Sequence, residues 1–397
     1  MEPVTHVLTG VCLARAGCNR RAAYATLTMA VAAQFPDIDT LWGLRGPVEG
    51  FAHHRGITHT FLGLPFEAAF LVGTVYGLHR WRVARAARTQ SLPGHVPRPL
   101  TKAPVRWGAL YGFALLALLS HLLLDYTNNY GLRPFFPFNG HWYAGSIVFI
   151  FDPLIFLLLL GALVAPSLFA LVSAEVGAKR PAFRGRGWAV AALLGVVAWW
   201  GLRTVQHAKA VRLAMAQTYA QTYAQQPPPT TSSTPLDDNA PLPTPPPPTY
   251  LPALRALASP DPLSPFHWSV VTDFGPLYQM SEVDTLATVS TPDQTTYAKP
   301  DRDRETLLAQ SSPLGRVYMD WSPVPVVVEG KPAEGTAEDT VADPVPPDAT
   351  TVTFQDLRFM GQVPWLHLSH QSPLTGTVTL DARGRVIRQT LDGRTEP

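Results

Sequence analysis

Apolar residues come in long unbroken runs through the first half of the chain, and in short ones set among proline and polar residues through the second. Three long runs, 57–78, 107–124 and 146–173, reach the roughly 20 helical residues that cross a hydrocarbon core of about 30 Å. Glu67 is the only charge in the first after its polar start, and Asp152-Pro153 interrupts the third. A fourth run, 188–202, is shorter and carries Trp199 and Trp200, side chains suited to a membrane interface. Runs 4–16 and 22–35 are too short to span comfortably and fit tilted, re-entrant or buried helices. The pattern predicts an α-helical polytopic membrane domain of four to six apolar helices over residues 1–204, four of them firm spans.

Beyond it, residues 205–226 read as a helical extension rich in alanine and glutamine. Residues 227–265 hold 14 of the 40 prolines and read as an extended Pro-rich linker. Short β-like runs then follow at 268–272, 324–328, 352–359, 376–380 and 386–391. The last two are joined by a loop of hairpin length, Asp381 to Arg385, whose Gly384 permits a positive φ. Residues 266–397 are therefore expected to form a small antiparallel β domain, with 330–350 as an acidic, proline-rich insertion.

Composition sharpens this picture. Of 397 residues, 46% are hydrophobic and 15% charged, against about 25% charged in a soluble domain. A net charge of +2 gives no reason to expect a nucleic-acid partner. Two cysteines, Cys12 and Cys18, cannot build a disulfide framework. Met1-Glu2-Pro3 lacks the basic start of a cleavable leader, so the first apolar runs are expected to be retained. Lys and Arg near the runs divide fourteen to six: 15–21, 79–106 and 179–186 on one side, Arg45, Arg55, Arg133, Arg203, Lys209 and Arg212 on the other. The richer side is expected to be cytoplasmic. Residues 36–56, 125–145 and the C-terminal domain then face outward, from a bacterial inner membrane crossed several times. The basic stretch 79–106 reads as a topology determinant in contact with anionic headgroups.

Four segments carry metal-type ligands: His6, Pro36-Asp37-Ile38-Asp39, the HHRGITH stretch His53 to His59, and His121-x-x-x-Asp125 followed by Asn128, Asn129 and Tyr130. On a helix His121 and Asp125 project from one face, and could share one ion or ligate two. His54 and His59 are brought toward a common point by the freedom of Gly56. With the orientation above, every segment falls at the outward end of its helix. Ionisable groups there cost about 2.5–3.5 kcal/mol each on insertion scales, and a divalent cation, most plausibly zinc, offsets that. The competing reading is that these residues cap helices and bond one another. A capping Asp is common at a helix start, but Asp125 closes a helix, where the dipole disfavours it. The Asp39 or Asp37 carboxylate could bridge metals or accept a proton from water, and Arg55 could hold an anionic substrate or pair with Asp37 or Asp39. Asp152 reads as a partner of a ligating imidazole. Phe135, Phe136, Phe138, Trp142 and Tyr143 read as an interfacial belt or the floor of a lipid-access groove.

The motifs resemble those of the YdjM/YfhP-like membrane-bound metal-dependent hydrolases of bacteria, strongly over about residues 1–160 and more weakly into the stretch Val352 to Phe359. The resemblance implies metal-site roles for His6, Asp37, Asp39, His54, His59, His121 and Asp125, with Arg55, Gly56 and Thr58 completing the HRG-TH motif. The ligand order is also similar to that of zinc-dependent phospholipase C and P1-type nucleases, which cleave phosphoesters. The expectation is a hydrolase in the lipid bilayer whose outward, interfacial site takes an ester or phosphoester, lipid-linked or not. The alternative is a non-catalytic metal-binding scaffold or sensor whose β domain binds envelope partners. A transporter fits less well, because the ligands lie at one face and not at the midplane.

Overall fold

The computed structural model describes residues 1–90, 100–175, 185–221, 249–287, 294–331, 346, 348–360 and 373–396. The first half is helical: α1 (Pro3–Leu13), α2 (Asn19–Arg21), α3 (Ala25–Ala32), α4 (Pro47–His53), α5 (Gly63–Gln90), α6 (Trp107–Thr127), α7 (Pro153–Glu175) and α8 (Arg186–Met215). Helix α1 packs against α3, α6, α7 and α8. Its approach to α3 requires Gly10, where a Cβ would lie 2.3 Å from the Met29 carbonyl oxygen. Met29, Ala32, Leu118 and Leu122 form the core beneath this contact.

Among the described residues, α6 and α8 are long and apolar enough to cross a membrane. A third span exists if Pro47–His59 and Gly63–Arg88, bent by 81° at their break, count as one. Four to six runs thus become two or three qualifying helices. The run at 57–78 is broken because Ile57–His59 forms a separate 3-10 turn before α5 starts at Gly63. The run at 146–173 begins as helix only at Pro153, where the Asp152 carboxylate accepts from the Leu154 and Ile155 amides and caps α7.

Two expectations for the middle of the chain are corrected. The helical extension ends at Met215, and Thr218–Gln221 is a strand, β1, paired with β2 (Thr249–Pro252). Residues 249–260, expected in the linker, form β2 and β3 (Arg255–Pro260). Strand β3 is held by its ladder with β4 (His267–Asp273) and by Ala256 and Ala258 packed with Ala210 and Ala214 of α8. Pro252 and Pro260 sit at strand ends, where a missing N–H costs little. The rest of that linker, 227–248, lies outside the described residues, as does 332–345 of the expected insertion.

The C-terminal half contains helices as well as strands. Strands β3, β4, β5 (Leu277–Asp284) and β6 (Gln294–Ala298) form one antiparallel sheet in sequential order. Helices α9 (Arg304–Ser311) and α10 (Pro313–Trp321) follow, each started by a side-chain cap, Asp303 to the Thr306 amide and Ser312 to the Gly315 amide. Strands β7 (Pro325–Gly330), β8 (Thr350–Asp356), β9 (Gly376–Leu380), β10 (Val386–Leu391) and β11 (Arg394–Thr395) make a second antiparallel sheet, ordered β11-β10-β9-β8-β7.

This half is docked on the helical half. Val48, Phe51 and Tyr130 share one apolar core with Leu314, Tyr318, Trp321, Val352 and Phe354. Trp321 Nε1 donates to the Tyr130 carbonyl oxygen at 3.2 Å and Arg358 Nη1 to that of Asn129 at 2.7 Å. On the far side, the buried Arg203 of α8 donates from Nη1 to the carbonyls of Asp261 and Ser264.

Candidate metal centre

Four segments converge at one end of the helical bundle. Pro36 cannot continue α3, and the 3-10 stretch Phe35–Leu44 that replaces it carries Asp37 and Asp39. His59 ends the 3-10 turn before α5, and His121 and Asp125 lie four apart in the last turns of α6. Asp37, His59, His121 and Asp125 each offer one ligand atom, and the four atoms lie within 4.8 Å of one another. His59 and His121 are fully buried, Asp125 is 1% and Asp37 15% exposed.

Each of these side chains is anchored by its rear atom, which leaves the front atom facing its neighbours. His121 Nδ1 is 2.7 Å from the Ala33 carbonyl oxygen, which only accepts, so the proton sits on Nδ1 and Nε2 presents a lone pair. His59 Nδ1 faces Asp39 Oδ2 at 3.0 Å, with the same consequence for its Nε2. Asp37 Oδ2 accepts from Gln34 Nε2 at 2.7 Å. Asp125 Oδ1 accepts from Arg55 Nη2 at 2.9 Å and also meets the amino group of Met1. Inside, His59 Nε2 is 3.1 Å from His121 Nε2 and 3.4 Å from both Asp37 Oδ1 and Asp125 Oδ2. His121 Nε2 is 3.5 Å and 3.4 Å from the same two oxygens. Four electron-pair donors thus face one point away from bulk water. A cation at that point would satisfy them together, and the donor set of two imidazoles and two carboxylates suits a divalent metal.

The remaining sequence candidates surround this group. His6 stacks on His121 with ring centroids 3.8 Å apart, and its Nε2 is 3.5 Å from Asp125 Oδ1. Neither His6 nitrogen has a hydrogen-bond partner among the described residues. Asp39 stands behind His59, and its Oδ2 also accepts from the Arg55 amide at 2.8 Å. His54 is a further step back, 3.4 Å from Asp39 Oδ1 and 27% exposed. His53 lies away from the cluster, stacked on Trp42 and 3.2 Å from Glu49.

Two expected partnerships differ. Arg55 pairs with Asp125, not with Asp37 or Asp39, because its backbone turns through a positive φ of 52° and sends the side chain under the 128–131 loop. There it donates to the Gly131 carbonyl and Asn128 Oδ1, with Tyr130 stacked 4.7 Å from its guanidinium. Among the described residues, no imidazole partners Asp152. It caps α7, accepts from Trp199 Nε1 at 2.9 Å and lies 3.6 Å from Arg203 Nη2. Of the expected aromatic belt, Phe138 is 85% exposed, while Trp142 packs beside Tyr130 and donates to Asp320.

Sequence reasoning passed over Gln34, Arg358 and Trp321, and gave Glu67 no place at the site. Glu67 alone left a signal, as the single acid in an apolar run. It is buried, and its Oε2 has no hydrogen-bond partner among the described residues.

The chain is similar to the uncharacterized protein YfhP of Bacillus subtilis (strain 168), with 26% identity over 171 residues, 41% of this chain and 45% of YfhP. It therefore spans less than half the length of that relative. No solved structure matches it. The YdjM inner membrane protein family matches residues 1–210, which include all four converging segments. The chain belongs to the YdjM inner membrane protein family.

Proposed function

We propose that the protein is a metal-dependent hydrolase of the inner membrane, acting on an ester or phosphoester at the lipid–water boundary. The observation that carries this reading is the convergence of Asp37, His59, His121 and Asp125, each held from behind and presenting an unshared pair in front. Zinc suits the spacing. Ligands at 2.0–2.1 Å on a tetrahedron lie about 3.3 Å apart, and five of the six separations here are 3.1–3.5 Å. Bound there, a divalent ion would polarise an ester oxygen and lower the pKa of a water toward 7. Asp39 holds the proton on His59 Nδ1 and so keeps Nε2 available. Arg55 fixes the rotamer of Asp125 and offsets its charge. Asp37, the one ligand with solvent exposure, marks the open side and is the carboxylate placed to take a proton there. The charge bias and the ligands' common end support a multi-pass topology with this site and the C-terminal half outside the cytoplasm.

A second reading has an observation of its own. Four protein donors close a tetrahedron, as in structural zinc sites, and the C-terminal half is docked beside it, which fits a scaffold or sensor. Elemental analysis of the purified protein, with a screen of phosphodiester, phospholipid and carboxyl-ester substrates with and without chelator, separates the two. Chelator-sensitive turnover supports the hydrolase, and bound metal without turnover of any of the three supports the scaffold. Absence of metal overturns both.

A further inference from the structure

A groove of about 540 Å³ runs along the outside of α1, α3 and the 3-10 stretch Phe35–Leu44, within the 300–1,000 Å³ usual for ligand sites. Val7, Ala30, Val31, Phe35, Ile38 and Leu41 line it, and its polar wall is confined to Gln34, Asp37 and Thr40. Val31, Ile38 and Leu41 are 44%, 45% and 58% exposed. This contiguous apolar surface is one that water disfavours and a hydrocarbon chain fills.

The groove and the metal centre share a residue. Asp37 lines the groove, while its Oδ1 stands 3.4 Å and 3.5 Å from the ligating nitrogens of His59 and His121. Gln34, which holds the other Asp37 oxygen, lines the groove as well. The other three ligands are sealed, so the approach to the centre that carries any exposure is the one through Asp37. The aromatic stretch 135–143, the sequence-based candidate for a lipid-access floor, contributes nothing to this groove.

The geometry points to a substrate-tail site: the groove holds the hydrocarbon chain of an amphiphilic ester or phosphoester whose polar linkage lies at Asp37. This rests on the hydrolase reading and narrows its substrate to lipids. An apolar tail in the groove and a polar linkage at its Asp37 end match the two chemistries in the order the protein presents them, and in a membrane-embedded chain that surface is reached from the bilayer.

The test uses full-length protein loaded with zinc in phosphatidylglycerol–phosphatidylethanolamine vesicles containing a phosphatidylglycerol with a diazirine in its acyl chain. Crosslinks at 30–41 are mapped by mass spectrometry and divided by those at Leu194 and Val197, exposed apolar residues of α8 that report ordinary lipid contact. Enrichment of about tenfold is expected, a preference of about 1.4 kcal/mol over ordinary lipid contact. Val31→Trp, which fills the groove, and Leu41→Asn, which makes it polar, should each abolish the enrichment with zinc content unchanged. Both positions are exposed enough to accept the change. A ratio near one in the wild type, or a ratio unmoved by both variants, means that only surface lipid is present and overturns the proposal. Turnover of the soluble diester bis(p-nitrophenyl) phosphate is followed in parallel. Enrichment with no turnover of this diester or of phospholipid retains the groove and sinks the hydrolase. Turnover of the diester without enrichment does the reverse.

Discussion

Two buried clusters of charge sit near the junction of the two halves, and they are built on opposite principles. At Asp152 and Arg203 every carboxylate oxygen has a protein partner: two backbone amides cap one, and the Trp199 indole N–H and the guanidinium meet the other. Arg203 in turn gives its Nη1 protons to two backbone carbonyls and lies 4.8 Å from the Trp199 ring. At Asp37, His59, His121 and Asp125 partners occupy only the rear atoms, and acceptors face acceptors in the middle. Buried polar groups are normally satisfied; the Asp152 carboxylate meets that rule within the protein, although Arg203 Nε and Nη2 have no hydrogen-bond partner among the described residues, whereas the second cluster leaves its facing carboxylate and imidazole atoms in the arrangement of a candidate metal site. Burial and charge alone would have scored them alike. The distinction comes from the direction of each hydrogen bond.

The strongest way to break this contrast is to remove a ligand. His121→Ala and His59→Ala should reduce bound metal from near-stoichiometric to background while the protein stays folded; elemental analysis together with circular dichroism reads this, and retained metal in both variants would undo the assignment. Next in size, Arg203→Ala should leave metal content unchanged and lower stability by about 3–5 kcal/mol, because it strands the buried Asp152 carboxylate; the unfolding midpoint in detergent measures this. Asp39→Asn tests the rear anchors. It keeps a neutral group behind His59, and metal affinity in a chelator competition should weaken about 10–100-fold. Smaller still, Trp321→Phe removes the N–H donated to the Tyr130 carbonyl, which should cost about 1 kcal/mol and loosen proteolytic protection of residues 128–131.

The smallest effect belongs to the C-terminal sheet. Burial works against the charge of Asp273, yet Lys299 at 2.7 Å, the Gly275 amide and Arg255 hold its pKa below the usual carboxylate value. A depressed folded pKa stabilises above the unfolded value near 3.9 and is lost as pH falls through the folded one. Lys299→Ala should therefore cost a little stability at pH 7, where this contribution is fully present, and the difference from the wild type should fade as pH falls through the folded pKa, as denaturant unfolding at the two pH values would read.

The candidate ligands were legible in sequence because each lies in a compact motif at the end of an apolar run, and the runs imply a common end. Their anchors were not. The Ala33 carbonyl has no side-chain identity to read, Gln34 looks like an ordinary polar residue at a helix end, and the partner of Arg55 depends on a backbone turn that brings Asp125, 70 positions away, within reach. The fold divided in the same way. Length and apolarity located α6 and α8, whereas β2 and β3 were hidden because prolines at their ends imitate a linker. Helices α9 and α10 escaped notice because they are short, and the apolar residues of α10 answer to Val48, Phe51 and Tyr130 from the other half of the chain.

Tyr130 stands between Arg55 on one face and Trp321 on the other, with Arg358 over the far side of the indole. Two rings lie between two cations in this column of four, from the guanidinium that pairs with Asp125 to Arg358, itself paired with Asp356. Trp321, Tyr130 and Arg55 thus form a continuous run of contacts from the C-terminal half to Asp125, one of the four candidate ligands.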